Sequence, residues 1–360
     1  MTTRRQFLRA AAVAGTGGAL AVAGQADDPA DRDRQPSEAQ AAVDRGLAYL
    51  ASSQAADGSY PDFRTGMGNV AVSGLAGLAL MAGGHQPGRG KYGLQVKRAA
   101  DYVTGRGNGQ VPGYLQNTGV GPNHGAMYQH GFGALFLSEV YGMLQTPADQ
   151  KKVRDALERA VALTLGAQHR EGGWRYDPYP GQHDVSVSVA QLMALRAARN
   201  AGVFVPKSAV DKCVDYIKAC QLHDGGFCYI KGQAVTGSAF ARSAAAVVGL
   251  FCAGVYEGRE VERGMQYLFQ FLPGRRLRAI PGESRADHYY YGHYYAALAM
   301  WTAGGNYWAE WFPAIRDELL GLIRQTPNGV WNDWHGPAYG TAMACIILQL
   351  PNNYLPIMQK

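Results

Sequence analysis

The sequence predicts an all-α ring of six helical hairpins. Three observations carry this. A turn of the form Gln, then Asp/Glu-Gly-Gly-aromatic or a close variant, recurs along the chain. Each copy follows a helix with one charged face, and each is followed by a helix rich in Ala and Gly. No stretch alternates apolar and polar residues as a half-buried strand would, so only short extended pieces inside turns are expected.

Composition sets the limits. Of 360 residues, 47% are hydrophobic and 17% charged, which excludes wholesale disorder. Five scattered cysteines without a C-x-x-C pair exclude a small disulfide scaffold and a zinc-ribbon spacing. No apolar run reaches the roughly 18 residues that cross a bilayer.

The first element, residues 1–26, reads as an export signal. Arg4-Arg5 with Phe7-Leu8 precedes a small-residue apolar stretch, Ala10 to Ala23, and Gly24-Gln25-Ala26 offers a cleavage site. The paired arginines resemble a twin-arginine signal, which implies a periplasmic or extracellular address for a protein folded before transport. Cleavage would remove three arginines and no acid, leaving 31 basic against 28 acidic residues, a net +3 in place of +6. Much of the basicity is therefore an address label, and no nucleic-acid-type basic run remains. The densest cluster, Arg275-Arg276-Leu277-Arg278, follows Pro273-Gly274 and reads as a solvated loop. Residues 27–38 carry charges and two prolines and read as a flexible linker, with the ring occupying 39–360.

The turns anchor at positions 54, 105, 168, 221, 270 and 325, the copies near Gly105 and Gln270 being degenerate. The small-residue helices follow at Val70 to Gly84, Gly125 to Gly142, Asp184 to Gly202, Ser238 to Gly254, Tyr289 to Gly305 and Ala338 to Leu350. Their Ala and Gly content suits an inner layer packed on both sides. Six pairs match the number that closes into a double ring, an α/α toroid.

The Q-x-x-D-G-G-[FW] units, as in Gln221…Asp224-Gly225-Gly226-Phe227, resemble the repeats of squalene–hopene cyclases and protein prenyltransferase β subunits, over roughly residues 40–350. Gly172-Gly173-Trp174-Arg175-Tyr176, Asp184-Val185-Ser186-Val187-Ser188, Leu192-Met193-Ala194-Leu195, Tyr291-Gly292-His293-Tyr294-Tyr295 and Leu355-Pro356-Ile357-Met358 resemble a nearer group of exported bacterial prenyltransferase/squalene-oxidase-repeat proteins, from which no reaction transfers. The resemblance implies the terpenoid-cyclase toroid and an apolar, isoprenoid-type ligand. The cyclases' D-x-D-D-T-A acid motif is missing where Val185 to Ala190 stand, and Asp184 just outside that register reads as a helix cap or a lone acid. The prenyltransferases' zinc ligands would fall to Cys228, Asp287, His288 and His293, but the family's D-x-C pair is missing, and no cofactor is assigned. Cys213 and Cys220 share one helix face and read as small buried residues, and a disulfide through Cys228 remains open.

In a toroid the starts of the inner helices line the mouth of a funnel, the default ligand site. His recurs at or near four of these starts, among hydroxyls and aromatics. Candidate catalytic residues are Asp184, Arg242, His293 and Tyr294. Candidate ligand contacts are His124, Tyr128, Ser186, Ser188, His288, Tyr291, His335 and Tyr339. Trp174, Phe227 and Trp331 read as staples between repeats. Aromatic faces suit isoprenoid chains and sugar rings alike. Three functions follow: a binding or transforming toroid for an apolar ligand, a polysaccharide lyase using His293, Tyr294 and Arg242, and a non-catalytic interaction scaffold. Hydrolysis ranks below elimination, because only Asp184 and Asp333 offer a carboxylate pair. The sequence does not decide whether the protein is an enzyme.

Overall fold

The computed structural model describes residues 37–63, 65–117, 125–233, 237–274 and 288–359. The signal, His124, the cluster Arg275 to Arg278 and Asp287 lie outside these residues. The described chain holds twelve α-helices: α1 (Ser37–Ser53), α2 (Val70–Ala82), α3 (Gly93–Arg106), α4 (Ala126–Tyr141), α5 (Pro147–Gly166), α6 (Val185–Asn200), α7 (Lys207–Ala219), α8 (Phe240–Cys252), α9 (Arg259–Phe269), α10 (Tyr289–Ala303), α11 (Gly305–Arg324) and α12 (Pro337–Gln349). Helix α1 begins inside the stretch expected as linker. Among the described residues there is no sheet, only isolated bridges in turns such as Trp174 with Asp184.

The even-numbered helices form the inner layer. Each packs on the next even-numbered helix, and α12 returns to α2, so the ring closes. Closure makes this a toroid and not an open solenoid. The two layers differ in burial as the composition requires. Twelve of the 13 residues of α2 are buried, against six of the 17 of α1. Small residues let the inner backbones touch. A Cβ on Gly74 would stand 3.0 Å from the Phe132 carbonyl oxygen, and one on Gly131 3.1 Å from that of Ala190.

The repeated turn is a clasp between successive hairpins. Gln168 donates from one amide nitrogen to the carbonyls of Gly172, 2.8 Å, and Ala209, 2.9 Å. Gln54 and Gln221 make the same pair of bonds to their own turns and to the next outer helix. Gly172 has φ +100°, and a Cβ there would lie 2.0 Å from the Lys212 carbonyl oxygen. Only glycine meets both demands, and Gly58, Gly113 and Gly225 repeat them. Gly113 also marks the degenerate second turn, which lies later than the Gly105 anchor. Trp174 is fully buried and donates its indole N–H to the Thr164 carbonyl at 2.7 Å; Trp331 does likewise to Leu319 at 2.9 Å. The backbone N–H of the turn aromatic is received by a hydroxyl one turn into the following inner helix, Ser73, Ser188 or Ser243.

After α12 the tail crosses the C-terminal ends of four inner helices, Asn352 donating to Ala82 O of α2 at 3.0 Å. Ile357 N–H donates to buried Glu139 of α4 at 3.2 Å, Arg196 of α6 donates to Gln359 O, and Trp301 of α10 donates to Met358 O.

Candidate functional site: a cavity at the starts of the inner helices

Each turn leads directly into an inner helix, so turns and helix starts converge on one end of the ring. There they enclose a cavity of about 880 Å³. Two sequence registers build it. The third residue of five inner helices lines it: Val72, Tyr128, Arg242, Tyr291 and Tyr339. The second residue after the turn's central side chain lines it in four repeats: Asp62, Asn117, Tyr176 and Tyr229. Ala71 on α2 and Phe132, one helical turn beyond Tyr128 on α4, add apolar surface. Met67, Asn69, Gln129, Ser186, His288 and His335 complete the part of the wall that matters chemically.

Most polar groups of this wall are already paired within the protein. Asn69 caps α2, accepting from the N–H groups of Ala71 and Val72. Gln129 Oε1 accepts from Val70 N at 3.2 Å and Asn117 N at 3.3 Å. The Arg242 guanidinium donates to the carbonyls of Phe227 and Gly237, at 3.0 and 2.9 Å. Tyr291 donates to Ser186 O at 3.4 Å, and its ring meets Tyr128 edge-on. His335 Nε2 accepts from the Trp334 indole at 3.1 Å.

Tyr176 and Tyr229 come from consecutive turns, and their hydroxyls share a short hydrogen bond. Tyr229 also donates to Asp184 Oδ2 at 3.2 Å. Asp184 is fully buried and caps α6, its Oδ1 accepting from Val187 N at 2.8 Å. Burial pushes this carboxyl up to about 6, against the lowering effects of Val187 N–H, Tyr229 and Arg175. Arg175 Nε stands 3.8 Å from Oδ2, and its guanidinium lies over the rings of Tyr176 and Tyr229. Burial likewise raises the phenols of Tyr229 and Tyr128, so both stay protonated.

Of the residues expected from sequence, the structure brings together Tyr128, Ser186, Arg242, His288, Tyr291, His335 and Tyr339 on the wall. Asp184 stands behind it, joined through Tyr229. Three others lie off the wall. Ser188 is fully buried, where its Oγ accepts from Trp174 N as Ser73 and Ser243 do in their repeats. His293 packs among Tyr289, Phe240 and Trp311, with ring centroids 4.5, 5.0 and 6.0 Å away. Tyr294 is buried behind Phe132. The recurrence of His is partly packing. His130 is fully buried, accepts from Leu115 N and pairs with Thr164, and burial pulls it down to about 4, so it is neutral. His183 packs against His169 at a tilt and meets Tyr216 edge-on.

The turn aromatics Tyr176 and Tyr229 could be expected near the cavity from sequence but are not among the candidate contacts named above, and Asp62 and Asn117 are passed over altogether. Their signal is the repeat register itself, two positions after the turn's central side chain. All five cysteines are buried and free, and Cys228 donates to Ile230 O. Among the described residues no three His, Cys, Asp or Glu side chains group as metal ligands. No helix among them is long and apolar enough to cross a membrane.

No known protein family matches the chain by sequence, and no curated protein does. Its fold is shared with solved structures of low identity. The α-1,6-mannanase of Salegentibacter sp. HEL1_6 superposes with TM-score 0.63 at 7% identity, over 88% of this chain and 99% of that one. A D-mannose isomerase gives TM-score 0.62 at 13% identity, over 90% and 99%. The type II terpene cyclase MstE from Scytonema gives TM-score 0.59 at 15% identity, over 89% and 100%. The chain thus has the α/α toroid fold common to glycoside hydrolases and terpene cyclases.

Proposed function

We propose that this protein is an exported toroid that holds one apolar, isoprenoid-type ligand in the cavity at the inner-helix starts. One observation carries the reading. The hydroxyl, amide and guanidinium groups of the wall are largely committed to one another and to backbone groups. A ligand therefore meets the rings of Tyr128, Tyr291 and Tyr339 and the apolar surface of Ala71, Val72 and Phe132. Burying hydrocarbon there is favourable by roughly 25 cal/mol per Å² and leaves few polar groups stranded. The volume lies in the upper part of the ~300–1,000 Å³ range of small-molecule sites. The terpene cyclase likeness in fold agrees with this reading.

A second reading, a saccharide ligand, is favoured by Asp62, Arg242, His288 and His335 on the same wall. The two separate on filling the apolar side. Ala71→Trp, on the partly exposed first turn of α2 at the cavity wall, places an indole where hydrocarbon would lie. It should abolish stabilisation of the protein by geranylgeraniol in a thermal-shift assay, with wild-type circular dichroism. Stabilisation by mannose oligomers and not by prenyl alcohols would support the second reading. Export is tested separately: the full chain should reach the periplasm, and Arg4→Lys with Arg5→Lys should hold it in the cytoplasm.

A further inference from the structure

The reading of an apolar cavity leaves open which end of a ligand the Tyr176–Tyr229 pair meets. Donor counting decides it. An ionised carboxylate only accepts, and a phenol has one proton to give. Tyr229 spends its proton on Asp184 Oδ2. In the Tyr176–Tyr229 hydrogen bond Tyr176 is then the donor. Both phenolic protons point inward, toward a carboxylate with no solvent exposure, and both phenols belong to the cavity wall.

We propose that Tyr176, Tyr229 and Asp184 form a one-way hydrogen-bond relay that makes this part of the wall an acceptor, so that the apolar ligand carries a hydroxyl and docks it here. The inference rests on the proposed apolar cavity and narrows its ligand from hydrocarbon to prenyl alcohol. A hydroxyl donates to the Tyr176 oxygen, and its proton continues the chain that ends on Asp184. An ether or hydrocarbon end has no proton to offer. Arg175, over both rings and beside Oδ2, holds the chain in this sense by favouring the ionised carboxylate.

The cap geometry supplies a variant that reverses the relay. In Asp184→Asn the amide oxygen is held by Val187 N–H, as Oδ1 is now. The amide nitrogen then occupies the Oδ2 position and can only donate to Tyr229. Tyr229 must donate to Tyr176, and Tyr176 must donate into the cavity. Asn is as good a helix cap as Asp, so the fold is preserved.

The test compares dissociation constants of geranylgeraniol, its methyl ether and the matching C20 hydrocarbon at pH 8, by calorimetry at one fixed detergent concentration. Wild type should bind the alcohol about three- to tenfold more tightly than the ether, the scale of one neutral hydrogen bond. Asp184→Asn should narrow or reverse that preference, because its wall now donates to the ether oxygen. Tyr229→Phe, which cuts the chain, should bring alcohol and ether within about twofold. Circular dichroism and Tm confirm that each variant is folded. Equal binding of all three compounds by wild type, or an unchanged order in Asp184→Asn, would overturn the relay and leave the apolar cavity standing. Binding of none of them would overturn both.

Discussion

Glu139 gives a prediction whose size follows from the structure. It lies near the C-terminal end of α4, is 5% exposed, and accepts from Ile357 N at 3.2 Å. Burial pushes its carboxyl from 4.5 up to about 7, with Ile357 N–H and Arg196 opposing. Tyr294, whose own phenol is raised by burial, also faces this carboxylate. Between these two values the folded protein keeps a proton that the unfolded chain sheds. The group's contribution to stability is therefore complete below 4.5 and is lost as pH rises through about 7. The gap of about 2.5 pH units is worth about 3.4 kcal/mol in full, of which about 2.5 falls between pH 5 and pH 9. Glu139→Gln removes the titration and keeps an oxygen for Ile357. Its stability relative to wild type should therefore improve by about 2–3 kcal/mol on going from pH 5 to pH 9. Urea denaturation of both proteins at the two pH values measures this difference, and all other groups cancel. Parallel curves for the two proteins would refute the assignment of a raised carboxyl at this position.

Four further outcomes are expected. Gly172→Ala, at φ +100° with its Cβ 2.0 Å from a carbonyl oxygen, should cost at least about 3 kcal/mol or prevent folding, read as soluble yield and Tm. Gln168→Ala removes two bonds and leaves two carbonyls to find other partners, a loss of about 1–3 kcal/mol in denaturant titration; no loss would show that the clasp is incidental. Asp184→Asn should flatten the pH dependence of stability between about 4 and 6, because wild-type stability falls as pH rises through the raised carboxyl value; an unchanged slope in denaturation at pH 4 and 7 counts against burial as the cause. The five buried thiols should resist Ellman's reagent in the folded state and react once the protein is unfolded, and prompt reaction of Cys228 would place it at the surface.

Much of the fold is legible in the sequence because the repeat encodes contacts that every hairpin must make. Gln168, Gly172 and Trp174 act on backbone groups of neighbouring elements, so their chemistry is the same in each copy and survives as a motif. Ring closure is legible only as a count; the contact of α12 with α2 is a fact of three dimensions. The site is half legible. Helix starts place Tyr128, Arg242, Tyr291 and Tyr339 on the wall at one register, three residues in. The Tyr-rich start of α10 misleads, because five tyrosines in seven positions hide the helical phase. Tyr291 faces the cavity, while His293 and Tyr294 turn into neighbouring packing. The bond from Tyr229 to Asp184 spans 45 residues and two repeats, and nothing local marks it. Asp184 reads alone in the sequence as a helix cap, which it is, while its second oxygen accepts from Tyr229 of the cavity wall.

The claim that the cavity takes an apolar ligand is tested most directly on protein purified from its producing cells. Its organic extract is analysed by mass spectrometry beside that of Ala71→Trp prepared identically. We expect a near-stoichiometric isoprenoid-type alcohol from the wild type and none from the variant. A saccharide released into the aqueous phase, or the same lipid recovered from both proteins, would contradict the account.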